Sequence, residues 1–247
     1  MQKQIIVTAF ALIIASSAMG FFNFFRKKPK QEPATQPAAD KPYKDEATNI
    51  IYNLLFCDDP GLVKSHDQPP YSYPYNILFA EAASGADLQK IIDDPGSEPR
   101  IKVLACNRRL SIGLTNNKEL YAVIVEVGLD GGLDVLASFS NGTARYINQN
   151  GSMLIWEQTT DQANALTKDL FAKSLLVVNK IGPWHKDRKP HPVKGNTRIT
   201  FLVSDGLYFG EAPTNILFND SLAGPALLSA TQLMQYLTEI MIEKNKK

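Results

Sequence analysis

Residues 120–156 constrain this chain more than any other stretch, because they combine the two-residue period of β-structure with two Asn-Gly pairs. Residues 120–127 are dense in Val and Ile and predict a strand. GLDVLASFSNGTARYINQNGSMLIWE then sets Asn141-Gly142 and Asn150-Gly151 between β-rich runs. In that setting Asn-Gly predicts two-residue hairpin loops, since a type I′ turn needs positive φ at both central residues. Such loops would place Phe139 opposite Ala144, Ala137 opposite Tyr146, Tyr146 opposite Ile155 and Ile147 opposite Leu154. Arg145 would face Trp156, within reach of a cation–π contact. Leu136, Ile147, Leu154 and Trp156 then share one face, and Phe139, Tyr146, Met153 and Ile155 the other. Both faces are apolar, so cover is expected on both.

The flanks read as helices. Residues 45–56 predict a short helix with Ile50, Ile51, Leu54 and Leu55 on one side, broken by CDDPG. The Pro- and Tyr-rich loop HDQPPYSYPYN leads to a helix pair at 88–93 and 99–112. After the meander, Thr159 and Gln162 fit a capping box for a helix with Leu166, Leu170, Val177, Val178 and Ile181 as its stripe, stopped by Gly182-Pro183. TRITFLVSDGLYFGE predicts a hairpin at Asp205-Gly206 that pairs Val203 with Tyr208 and Leu202 with Phe209. A last helix from Pro225 turns Ala226, Ala230, Leu233, Leu237 and Ile240 inward. This order predicts an α+β fold: a mainly antiparallel sheet, a four-strand meander plus a hairpin, packed with helices in a single domain over 45–247.

The N-terminus predicts an address. No charged residue occurs in residues 5–25, and RKK follows. Residues 5–15 suit a secretory h-region, with Ala18-Met19-Gly20 at a cleavage site; the whole run is also long enough to span a bilayer. Residues 1–25 are therefore read as a signal peptide or a membrane anchor. The protein is expected to be exported to the periplasm or anchored in the membrane, with a cytoplasm-facing anchor left open by the basic flank. Residues 26–44 are Pro-rich, basic and poor in apolar side chains, and predict an extended linker. Residues 1–44 hold seven Lys/Arg and two Asp/Glu; the remaining nineteen and twenty-three leave residues 45–247 at −4. A mildly acidic domain argues against nucleic acid, while residues 26–30 offer a contact to anionic lipid.

The runs VIVEVGLDGGLDVLASFSNGTARYINQNG and FLVSDGLYFGEAP resemble a bacterial protein family without an assigned activity. The resemblance extends from about Asn53 to the last helix; it implies a bacterial origin and a single domain, and supplies no activity, cofactor or catalytic residue.

No P-loop, GxGxxG, HExxH or GxSxG is present. Cys57 and Cys106, the two cysteines, fit either one disulfide in an exported protein or two buried thiols. His185 and His191 lie in GPWHKDRKPHPVKG at a spacing unlike a zinc site, and no metal or other cofactor is expected. The third histidine is His66. Trp184, Lys186, Arg188, Lys189 and Lys194 share that loop, which is either a solvated surface or a receiver for an anion. Asp58-Asp59 could share a proton or hold a cation; the same residues suit the start of an Asp-Pro-Gly turn. Glu126, alone inside an apolar strand, must be paired or functional if its face is covered. Two functions follow. One is an exported or membrane-tethered non-enzymatic domain that binds a protein or envelope component. The other is a hydrolase or small-ligand pocket built from Asp58, Asp59, Glu126 or the His185/His191 loop.

Overall fold

The computed structural model describes residues 40–64, 69–158 and 160–244. Residues 1–25, read as a signal or anchor, residues 26–39 of the expected linker, His66, Thr159 and residues 245–247 lie outside them. Five helices come first: α1 (Glu46–Leu54), α2 (Pro60–Lys64), α3 (Tyr75–Leu78), α4 (Gly85–Asp93) and α5 (Pro99–Ser111). The meander is β1 (Leu120–Leu129), β2 (Gly132–Phe139), β3 (Ala144–Ile147) and β4 (Met153–Trp156). Then follow α6 (Asp161–Val178), β5 (Asn196–Val203), β6 (Gly206–Pro213), α7 (Thr214–Phe218) and α8 (Ala223–Lys244). The fold is α+β. All six strands form one antiparallel sheet in the order β4-β3-β2-β1-β5-β6, so the second hairpin joins the meander through β1.

Helices cover both faces of the sheet. On one side Tyr52, Phe56, Leu88, Ile91 and Leu104 pack on Tyr121, Ile124 and Phe139. On the other, Leu170, Leu227, Leu233 and Leu237 of α6 and α8 pack on Val123, Val125, Trp156 and Phe201. This is why β1 reads as an almost unbroken apolar run rather than an alternation. Burying each of its Val and Ile side chains is worth roughly 1.5–3 kcal/mol relative to exposure.

The registers of the two Asn-Gly hairpins differ from expectation by one residue, and that of the third by two. Gly142 N–H bonds to Phe139 C=O at 2.9 Å and Gly151 N–H to Asn148 C=O at 2.8 Å. Both loops hold three residues, a type I turn followed by a glycine at φ +87° or +82° that forms the bulge. Ser138 therefore opposes Ala144, Leu136 opposes Tyr146, and Tyr146 opposes Leu154. A one-residue slip exchanges faces. Tyr146 joins Leu136, Leu154 and Trp156, whereas Ile147 joins Phe139. Arg145 faces Ile155 rather than Trp156 and donates to Glu157 at 2.8 Å. In the third hairpin Val203 pairs with Gly206, with Ser204-Asp205 as the loop.

Two further corrections bear on the site. The inward side of α1 is polar: Thr48, Asn49, Tyr52 and Asn53 are buried, while Ile50, Ile51 and Leu54 are only half-buried. The reason lies in residues 40–44, expected to be linker, which fold onto this helix. Tyr43 is buried, its N–H donates to Asn49 Oδ1 and Asn49 Nδ2 donates back to its carbonyl, both at 2.9 Å. The cap of α6 is Thr160, whose hydroxyl accepts from Ala163 N–H.

Candidate functional site

Asp45 caps α1 by accepting from Thr48 N–H at 2.7 Å, and the helix then sets Asn49, Tyr52, Asn53 and Phe56 on one face by i, i+3, i+4 spacing. Cys57 follows with φ +53°, a left-handed conformation that costs a non-glycine residue about 1–2 kcal/mol. That turn delivers Asp58 to Arg188. The Arg188 guanidinium donates from Nε to Asp58 Oδ2 and from Nη2 to Asn53 Oδ1, each at 2.7 Å. It also lies 3.9 Å from the ring centre of Phe56 and 5.7 Å from that of Tyr52. Burial works against its charge; Asp58, Tyr52 and Glu126 outweigh that and hold its pKa above the ordinary arginine value.

The second half of the cluster sits on the sheet. Glu126 of β1 and Arg198 of β5 are direct cross-strand partners. Glu126 is fully buried; Tyr52 donates its hydroxyl proton to Oε1 at 2.6 Å. Its Oε2 lies 3.7 Å from Arg198 Nη1, an electrostatic contact too long for a hydrogen bond, and accepts none. Burial raises the Glu126 pKa above the ordinary glutamate range, opposed by Arg198, by the Tyr52 hydrogen bond and by Arg188. Arg198 spends its donors elsewhere: Nη2 and Nε on Glu211 at 2.7 and 3.0 Å, Nη1 on the carbonyl of Lys189 at 3.0 Å, and Nη2 again on that of Pro190.

These contacts fasten the 182–195 loop to the domain. Trp184 N–H pairs with Leu207 C=O at 2.6 Å at one end, and Gly195 N–H with Gly128 C=O at 3.0 Å at the other. Between them, His191 Nδ1 lies 2.7 Å from Asp40 Oδ1 and its backbone N–H donates to Oδ2. The loop presses so closely on β1 that a Cβ on Gly128 would stand 2.1 Å from Val193 C=O.

Four of the sequence candidates, Asp58, Glu126, Arg188 and His191, thus belong to one continuous network. The others do not. Asp59 Oδ1 accepts from Gly61 N–H at 2.8 Å, the local turn bond. His185 and Lys186 are exposed. Trp184 donates Nε1–H to Asp187 C=O at 2.9 Å and meets Phe209 edge to face, with Lys189 Nζ 5.6 Å from its ring centre. Cys57 and Cys106 are separate buried thiols, each with its pKa pushed up to about 12 by burial. Among the described residues no three His, Cys, Asp or Glu groups are placed to hold a metal.

Asp40, Tyr52, Asn53 and Arg198 were not singled out from sequence. Arg198 carried a usable signal, one charge in an apolar strand as Glu126 is in its own, but the partnership needs the β1–β5 register. The other three gave none, because Asp40 sits in linker-like composition and Tyr52 and Asn53 lie off the aliphatic stripe.

Apart from Glu126 Oε2, which accepts no hydrogen bond, the acids of the network meet its bases, so it can hold the loop rigid; its half-exposed edge is at His191. There the loop and residues 41–44 border a partly open cavity of about 340 Å³. No family model, curated protein or solved structure matches the chain.

Proposed function

We propose that the protein is a membrane-tethered or exported binding domain, without catalytic turnover, that recognises a protein or envelope component through the 182–195 loop. The observation that carries this reading is the use made of the charged groups. Arg188 and Arg198 hold the loop from below, and its remaining cations, Lys186, Lys189 and Lys194, stand outward with His185 and Val193, the last 68% exposed. A fixed loop with exposed charges loses less conformational freedom on binding than a mobile one. The N-terminal apolar run supplies the address; among the described residues no helix is long and apolar enough to cross a membrane.

A photo-crosslinking residue at Lys186 of the full chain, expressed in cells and recovered from the membrane or periplasmic fraction, tests the reading. The expected result is a discrete adduct from Lys186 and none from Gln232, on the outward side of α8. Equal labelling from both positions, or none, contradicts it.

A second reading, a small-ligand pocket at the His191 end of the loop, is favoured by the cavity there. The hydrolase form of that reading has less support, because Asp58, Asp59 and Glu126 do not border it.

A further inference from the structure

The cavity sits where residues 41–44 meet the end of the loop, and its wall has a definite chemistry. Lys41, Lys44, Lys194 and His191 line it beside the Gly131-Gly132 turn, and no carboxylate is among the lining residues described. Lys41 pairs with Glu46 at 3.0 Å and Lys194 with Asp130, but all four side chains are more than half exposed and both acids stand outside the lining. Such pairs are weak and exchange readily for a better anion. Lys44 makes no ion pair among the described residues. The His191 ring is fixed by Asp40, and Gly128 lets the loop come close enough to form the far wall.

Three lysines without an arginine fork, two of them held only by exposed pairs and Lys44 by none among the described residues, suit a compact anion bearing more than one charge better than a planar carboxylate. The volume, about 340 Å³, is at the small end of ligand pockets, which run from roughly 300 to 1,000 Å³. It admits a phosphate with a small substituent and is too small for a folded peptide or a dinucleotide. We propose that this cavity binds the phosphate group of a small ligand, supplied either by a phospholipid headgroup or by a soluble phosphate ester. The inference rests on the second reading above, a small-ligand pocket at the His191 end of the loop, and names its ligand chemistry.

The test uses the full chain in non-ionic micelles and the ³¹P resonance of two probes, inorganic phosphate and phosphatidylglycerol doped into the micelles. Because the linker is itself basic, both are repeated with Arg26, Lys27, Lys28 and Lys30 changed to Gln. Saturable binding that survives those changes and weakens at least tenfold in Lys44→Glu with Lys194→Glu is expected. Its appearance with phosphate assigns a soluble source, and with the lipid alone a headgroup. Lys44→Gln with Lys194→Gln, which removes charge without reversing it, should fall between. Binding of neither probe, or full affinity in the Glu pair with unchanged thermal unfolding, overturns the proposal. The Lys186 adduct is read separately, so loss of phosphate binding and loss of the partner are distinguishable.

Discussion

Replacing Arg188 by Ala removes the side chain that ties the loop to Asn53 of α1 and to Asp58, and its cost can be worked out from the contacts. At 2.7 Å and an effective dielectric of ~20, the Coulomb attraction to Asp58 is roughly 6 kcal/mol. Most of that is offset by taking the two groups out of water, since their side chains are only 7% and 19% exposed. Truncating one partner is a different matter, because it strands the other. The penalty for a fully buried pair is about 3–5 kcal/mol, and Asp58 keeps enough water contact to fall at the low end. Loss of the guanidinium against Phe56 adds ~0.5–1 kcal/mol. The sum is about 3–4 kcal/mol, or roughly 6–16 °C in Tm for a domain of this size. Denaturant unfolding followed by tryptophan fluorescence measures it. Adding Asp58→Ala to Arg188→Ala should recover part of the loss, since no charge is then left unpaired. A loss below ~1 kcal/mol for Arg188→Ala, the level of an exposed pair, refutes the reasoning.

Other outcomes follow from the same geometry. The Glu126 pKa is raised on folding, so its contribution is full below the ordinary glutamate range and is lost as pH rises through the folded value. Glu126→Gln should therefore flatten that decline in stability on the alkaline side while keeping an acceptor for Tyr52; an unchanged pH profile contradicts the assignment. Gly128→Ala drives a methyl into the loop backbone at Val193 and should cost more than ~2 kcal/mol, with the ³¹P phosphate response lost alongside. Gly142→Val should destabilise by more than ~1 kcal/mol, because a β-branched residue resists φ +87° and its Cβ would lie 2.9 Å from Asn164 Oδ1. Cys57 and Cys106, with thiols pushed up to about 12, should resist an aromatic disulfide reagent in the native protein and react once it is unfolded.

Much of the fold was legible because long apolar runs and turn chemistry are local properties. β1, the hairpins and the helices α5, α6 and α8 all lie where the patterns put them. The two Asn-Gly registers failed by one residue because Asn-Gly serves two loops, the two-residue type I′ turn and the three-residue turn with a glycine bulge, and flanking sequence does not separate them; in the third hairpin the two-residue loop is Ser204-Asp205 instead of Asp205-Gly206. The inward face of α1 failed for another reason. Its aliphatic stripe was the obvious candidate, yet Asn49 and Asn53 satisfy the backbone of residues 40–44, and that need arises only in three dimensions. Of the site, Glu126 was legible as an anomaly and Arg188 only as one cation among several. What distinguishes Arg188 from Lys186 and Lys189 is the forked guanidinium that meets Asp58 and Asn53 together.

The central claim is that the charged cluster is a clamp on the loop and not a reacting site. Hydrogen exchange at three backbone amides tests it most directly: Trp184, which donates to Leu207, His191, which donates to Asp40, and Gly195, which donates to Gly128. In the wild-type chain all three should be protected. Arg188→Ala should speed exchange at His191 at least tenfold and at Trp184 and Gly195 measurably, with β1 amides unchanged under native conditions. Exchange at His191 that is fast in the wild type, or unaltered when Arg188 is removed, would show that the loop is not held by this network and would contradict the account.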